Sequence, residues 1–185
     1  METRGSIVDD EARLREVLEE AVREQMVADV PLGAFLSGGI DSTIIVGLMR
    51  KATSGLIKTF SIGFGEPAFD ESEYARLAAE KFGTEHHTFE VNPRAWETLP
   101  SLVEQFDEPF ADSSALPTWL VARETRAEVT VALTGDAGDE LFGGYDRYRA
   151  VALAEAIDRL PIAIRRVLAV RSPRRFRSRR RRKPA

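Results

Sequence analysis

The 185-residue chain contains no cysteine. Disulfides, thiolate metal sites and a cysteine nucleophile are therefore excluded from these residues. No apolar run approaches the length that crosses a bilayer, so a membrane is not among the expected partners. The first twenty residues are highly charged and lack an apolar centre. That argues against a secretory leader and makes the cytoplasm the expected compartment. Basic residues are scarce over most of the chain: eleven of the 26 Lys and Arg fall within residues 165–183, and the other 15 face all 30 Asp and Glu. A body carrying about −15 is a poor platform for nucleic acid, which is not expected as a partner.

What is present reads as strands alternating with helices. Asp9 or Asp10 can cap an amphipathic helix with Leu14, Val17, Leu18, Ala21, Val22 and Met26 on its apolar face, ended by Pro31. Strands are expected at 32–36, 57–64, 87–91 and 129–133. Helices are expected to about residue 52, over 72–82 with Gly83 as the stop, over 93–106 and 116–127, and in a last region after the fourth strand. Strands separated by helix-length segments predict an α/β fold with a doubly wound parallel sheet covered by helices on both faces. The expected organisation is an amphipathic helix at 1–29, the main domain at 30–164 and an Arg-rich tail at 165–185. The tail cannot bury enough apolar surface to order itself.

The most informative segment is Ser37-Gly38-Gly39-Ile40-Asp41-Ser42, between the first strand and the next helix. Free N–H groups and the helix dipole converge there, so the turn is suited to an anion. The glycines let the backbone approach that anion, and the Ser37 and Ser42 hydroxyls can add donors. Asp41 would repel a phosphate unless a cation lies between them, which argues for Mg²⁺. The segment lacks the lysine of G-x-x-x-x-G-K-[ST], and the dinucleotide pattern G-x-G-x-x-G is missing.

Ligands of such sheets bind past the carboxyl ends of the strands. The second strand ends in TFSIGF, where an adenine ring can lie beside Leu36 and Ile62; Ile62 can equally be plain core. The fourth runs into Thr134-Gly135-Asp136-Ala137-Gly138-Asp139-Glu140. Carboxylates at 136, 139 and 140 on a glycine-rich turn repel one another unless metal or cationic groups are near. In Glu85-His86-His87, adjacent strand residues point to opposite faces, which disfavours a metal site and suggests surface histidines.

Taken together, SGGIDS, TFSIGF with EPAFDESEYA, FDEPFADSSALPTWL and TGDAGDELFGGY resemble the synthetase domain of glutamine-hydrolysing asparagine synthetase, a member of the PP-loop ATP pyrophosphatase family. The resemblance implies an adenine nucleotide alpha hydrolase-like fold, with ATP and Mg²⁺ as substrate and cofactor. It implies attack of the aspartate side chain on the α-phosphate to give β-aspartyl-AMP and pyrophosphate, after which ammonia yields asparagine and AMP. Carried over residue by residue, Leu36, Ser37, Gly38, Gly39, Asp41, Ser42, Ile62, Thr134 and Gly135 would contact the nucleotide. Asp41 and Asp139 would hold the metal, and Asp136 would be the catalytic acid of adenylate formation. The loop at 107–114 can approach aspartate or AMP, or be a simple connection.

Three departures accompany the resemblance. The family's glutaminase half begins with a cysteine that these residues lack, its synthetase half continues further, and Asp136 stands where better-known members have glutamate. A truncated domain is the expectation, with a separate glutaminase subunit and self-association left open. Another PP-loop amidotransferase acting on a different carboxylate, or a non-catalytic nucleotide-binding remnant, remain as alternatives.

Overall fold

The computed structural model describes residues 7–63, 71–90, 95–108, 110–112, 114–162 and 165. The acidic loop at 65–70, the start of the helix expected from Pro93, and the tail beyond Arg165 lie outside them. Two compact units divide the chain, Met1–Asp136 and Ala137–Ala185.

In the first unit, β1 (Leu32–Phe35), β2 (Lys58–Gly63), β3 (Glu85–Glu90) and β4 (Val131–Leu133) form one parallel sheet in the order β3-β2-β1-β4. The chain steps outward from β1 to β3 and then returns to the other side of β1. The direction of winding therefore reverses between β1 and β4, and the doubly wound sheet is observed as expected. Side-chain alternation sorts the core. Ala34 and Leu36 pack with Val46 and Met49 of α2 (Ile40–Ala52) and with Ala75, Ala78 and Ala79 of α3 (Ser72–Phe82). Val22 of α1 (Ile7–Gln25) closes that layer. Phe35, Phe60 and Ile62 turn the other way, toward Val121 of α5 (Ala115–Thr125). The helix expected over 93–106 is a 3₁₀ turn, Ala95–Thr98, followed by α4 (Leu99–Phe106).

Arg50 ties the far ends of α2 and α3 together. Its guanidinium donates to the carbonyls of Phe82 at 2.8 Å, Gly83 at 3.1 Å and Gly55 at 2.9 Å. Those carbonyls lie at helix ends that leave acceptors unmet, and Gly83 terminates α3 at φ +62°.

The histidines are not freely exposed as expected: both are partly buried. They do point to opposite faces. His87 stacks on Phe60 and meets Glu85 at 2.9 Å. The His86 ring lies between the hydroxyls of Thr59 at 3.0 Å and Ser61 at 3.2 Å, with Thr84 and Thr88 extending the hydroxyl row. Burial, followed by the charge of His87, pushes the His86 pKa below its ordinary value. The neutral ring is thus favoured by folding, so its contribution is present above the unfolded pKa of about 6.5 and lost as pH falls through the folded value. We predict that the wild-type loss of thermal stability between pH 7 and pH 5 shrinks in His86→Gln. An unchanged pH dependence would contradict this account.

The second unit contains α6 (Gly138–Phe142) and α7 (Asp146–Asp158). Ala137, which caps α6, has φ +69°. A residue with a Cβ costs about 1–2 kcal/mol in that conformation. Ala137→Gly is expected to raise stability by roughly 0.5–1 kcal/mol, after the added freedom of glycine in the unfolded chain is deducted. Denaturant unfolding measures it, and a stability loss would sink the strain assignment.

Candidate functional site

The site is built where the sheet reverses its winding. Crevices form at such a point because the connections from two adjacent strands leave toward opposite faces. Here the strands are β1 and β4, and the segments beyond their carboxyl ends are 36–41 and 134–136.

Beyond β1, Leu36 continues the sheet by donating its N–H to the Phe60 carbonyl at 2.8 Å. The chain then turns through Gly38 at φ +85° into α2, with Gly39 as the cap. No side chain caps this helix, whose first backbone bond runs from the Thr43 N–H to the Gly39 carbonyl at 3.1 Å. The N–H groups of Ile40, Asp41 and Ser42 precede that bond and remain as donors at the positive end of the helix. The serine hydroxyls mostly brace the loop. Ser42 Oγ accepts from the Ser37 N–H at 3.2 Å and meets Ser37 Oγ at 3.0 Å. Ser37 Oγ in turn accepts from the Gly39 N–H at 3.2 Å.

Beyond β4, Gly135 lies directly on the start of α2. A Cβ placed on it would fall 2.6 Å from the Ser42 nitrogen and 2.8 Å from the Asp41 carbonyl carbon. Only a glycine lets these two segments come so close. Thr134 Oγ1 donates to the exposed Asp136 carboxylate at 2.9 Å and accepts from the Asp136 N–H at 3.3 Å. The structure thus brings Ser37, Gly38, Gly39, Asp41 and Ser42 together with Thr134, Gly135 and Asp136, segments about a hundred residues apart in sequence.

Beside this turn is an apolar cavity of about 150 Å³, lined by Phe35, Leu36, Phe60, Ile62 and Val121, with Ser37, Ser61 and Glu71 at its polar side. Leu36 and Ile62, expected to flank a planar ring, do share this cavity. It is smaller than the usual 300–1,000 Å³ of a whole-ligand pocket, a size that suits one ring of a larger molecule. Sequence reasoning assigned no role to Glu71, Phe35 or Ser61. Glu71 lay within a quoted acidic motif, but nothing in that motif says which of its acids turns toward the cavity.

Asp139 belongs to the second unit, where Gly144 donates its N–H to the Asp139 carbonyl at 2.9 Å. The acidic loop is less strained electrostatically than its sequence suggests. Asp136 is bonded to Thr134, and Glu140 accepts from the Tyr145 hydroxyl at 2.7 Å. That bond holds the Glu140 carboxyl below the usual carboxylate range and raises the Tyr145 phenol. Two of the three carboxylates therefore have local partners without a metal.

No group of three or more His, Cys, Asp or Glu arranged to hold a metal occurs among the described residues. Mg²⁺ is commonly held by one or two carboxylates plus substrate phosphates. Asp41 offers a suitable hard oxygen donor. It is half-buried in the first turn of α2, and its carboxylate has no hydrogen-bond or ion-pair partner among the described residues.

Comparison with known proteins adds the family. The Asparagine synthase family model matches residues 13–185. "Asparagine synthetase [glutamine-hydrolyzing] 1" of Bacillus subtilis (strain 168) is 40% identical over 156 residues, 84% of this chain and 24% of that protein. "Amidase chry2" of Gibberella zeae is 32% identical over 164 residues, covering 77% of this chain and 24% of its own length. Among solved structures, an NH3-dependent NAD synthetase from Campylobacter jejuni aligns with a TM-score of 0.49 at 16% identity, over 72% of this chain and 60% of that one. The chain spans about a quarter of the length of the two relatives. No described helix is long and apolar enough to cross a membrane.

Proposed function

We propose that this chain, which belongs to the asparagine synthase family, forms the nucleotide-binding part of an ATP-dependent amide ligase that makes asparagine from aspartate. The observation that carries this reading is the seating of Gly135 on the first turn of α2, which sets the acidic end of β4 against an anion-binding turn. Binding ATP there puts its phosphates at the N–H groups of Ile40, Asp41 and Ser42 and its adenine in the cavity of Leu36 and Ile62.

The substrate supplies the nucleophile. One oxygen of the aspartate side-chain carboxylate attacks the α-phosphorus, the bond to the bridging oxygen breaks, and pyrophosphate leaves with that electron pair. Ammonia then attacks the acyl carbon of β-aspartyl-AMP, and AMP departs as asparagine forms. The work of this chain is to hold the reacting groups in line and to favour charge developing on the leaving oxygen, which fixed N–H donors do without reorganising. Asp136, which accepts a hydrogen bond from Thr134, would serve as the acidic residue of adenylate formation. Asp41 would hold Mg²⁺. When bound, the ion would neutralise phosphate charge. Ammonia delivered by a separate glutaminase belongs to the same reading.

A second reading has one observation in its favour, the 32% identity to a protein named an amidase. It keeps the ATP site and replaces aspartate by another carboxylic acid. Exchange of labelled pyrophosphate into ATP, measured with aspartate and with a panel of other acids, separates the readings. Exchange that requires aspartate supports the first and exchange with another acid the second. ATP binding without exchange points to a non-catalytic remnant.

A further inference from the structure

We infer that Glu71 reads the ribose of the bound nucleotide by accepting a hydrogen bond from one of its hydroxyls. This rests on the reading of the cavity as an ATP site. Three polar residues border that cavity: Ser37, Ser61 and Glu71. Two are already committed. Ser37 Oγ is engaged by Ser42 and the Gly39 N–H, and Ser61 Oγ by His86 and Thr88. The carbonyl of Glu71, the first residue before α3, accepts from the Tyr74 and Ala75 N–H groups at 3.0 and 3.1 Å, whereas its carboxylate makes no capping bond and has no hydrogen-bond or ion-pair partner among the described residues.

Its position selects the part of the nucleotide it would meet. Glu71 shares the cavity with Leu36 and Ile62, the proposed neighbours of the base. Its backbone also touches the phosphate turn, since a Cβ on Gly38 would lie 3.0 Å from the Glu71 carbonyl oxygen. A residue next to both the base cavity and the phosphate turn is level with the sugar that joins them. The chemistry agrees. An ionised carboxylate accepts hydrogen bonds and donates none, so it repels phosphate and is complementary to the vicinal hydroxyls of ribose.

The test compares ATP, 2′-deoxy-ATP, 3′-deoxy-ATP and ITP binding to the full chain and to Glu71→Ala by calorimetry, with circular dichroism and pyrophosphate binding as controls on the fold and the phosphate turn. The wild type is expected to bind ATP at least tenfold more tightly than one of the two deoxynucleotides. In Glu71→Ala that preference is expected to fall to within about twofold, with pyrophosphate binding unchanged. Equal wild-type affinity for ATP and both deoxynucleotides overturns the inference, as does a variant that keeps the wild-type ratios. Loss of ATP-over-ITP preference with the deoxy ratios intact also overturns it, because Glu71 would then read the base. A wild type that binds ATP without ribose preference sinks this inference alone; a wild type that binds no ATP sinks the functional reading and this one with it.

Discussion

Gly38→Ala is expected to destabilise the first unit by about 2–5 kcal/mol and to abolish measurable ATP binding. Two independent penalties add here. Residue 38 has φ +85°, a conformation that costs a residue with a Cβ about 1–2 kcal/mol. The new methyl would also lie 2.7 Å from both the Ala75 nitrogen and Tyr74 Cβ, closer than carbon atoms come without a shift of the backbone. Forced overpacking of that kind costs roughly 1–3 kcal/mol. Relief would require the start of α3 to move away from the phosphate turn, and Glu71 would move with it. The neighbouring glycine supplies the control. Gly39 has φ −66°, and a Cβ there meets only Ser37 Oγ, at 3.2 Å. Gly39→Ala is expected to cost less than about 1 kcal/mol. Denaturant unfolding of the two variants decides it, and equal losses would remove the packing account of this turn.

Asp41→Asn separates chemistry from folding in the opposite way. The side chain is nearly isosteric and has no described partner to lose, so the fold is expected to survive. A carboxylate in the first turn of α2 favours the helix by about 0.3–1 kcal/mol, and that is the largest stability loss foreseen. Pyrophosphate exchange is expected to fall by about 10²–10³, the size of losing a few kcal/mol of charge stabilisation on the departing oxygen. The magnesium concentration for half-maximal exchange should rise as well. Exchange within a few-fold of wild type, at unchanged magnesium dependence, would exclude Asp41 from holding the ion.

Much of the architecture was legible from local signals. The alternation of short apolar runs with helix-length segments foretold four parallel strands, all of which form. Gly83 was readable as a helix stop because a left-handed terminus suits glycine, and it is found there. Ala137 adopts φ +69°, a conformation that carries a physical cost for a residue with a Cβ and that its letter does not announce.

One reading failed where the deciding partner is distant in sequence. The histidines looked superficial because adjacent strand residues point to opposite faces, which disfavoured a shared metal site. Pairing of β2 with β3 places His86 beside Thr59 and Ser61, twenty-five or more residues away, and makes it half-buried. Among the crowded carboxylates, Asp136 and Glu140 meet the hydroxyls of Thr134 and Tyr145, local partners that the letters alone do not reveal.

Periodicity and the turn residues by themselves determined the α/β class and a glycine-rich turn suited to an anion, because each depends on residues close together along the chain; the motifs in their order carried the resemblance to the family. Tertiary structure alone decided that Gly135 rests on the first turn of α2 and that Glu71 borders both the phosphate turn and the apolar cavity. The order of strands sets those distances. Order is chosen by which faces bury best against α2, α3 and α5, a free energy spread over the whole sheet and written in no single segment.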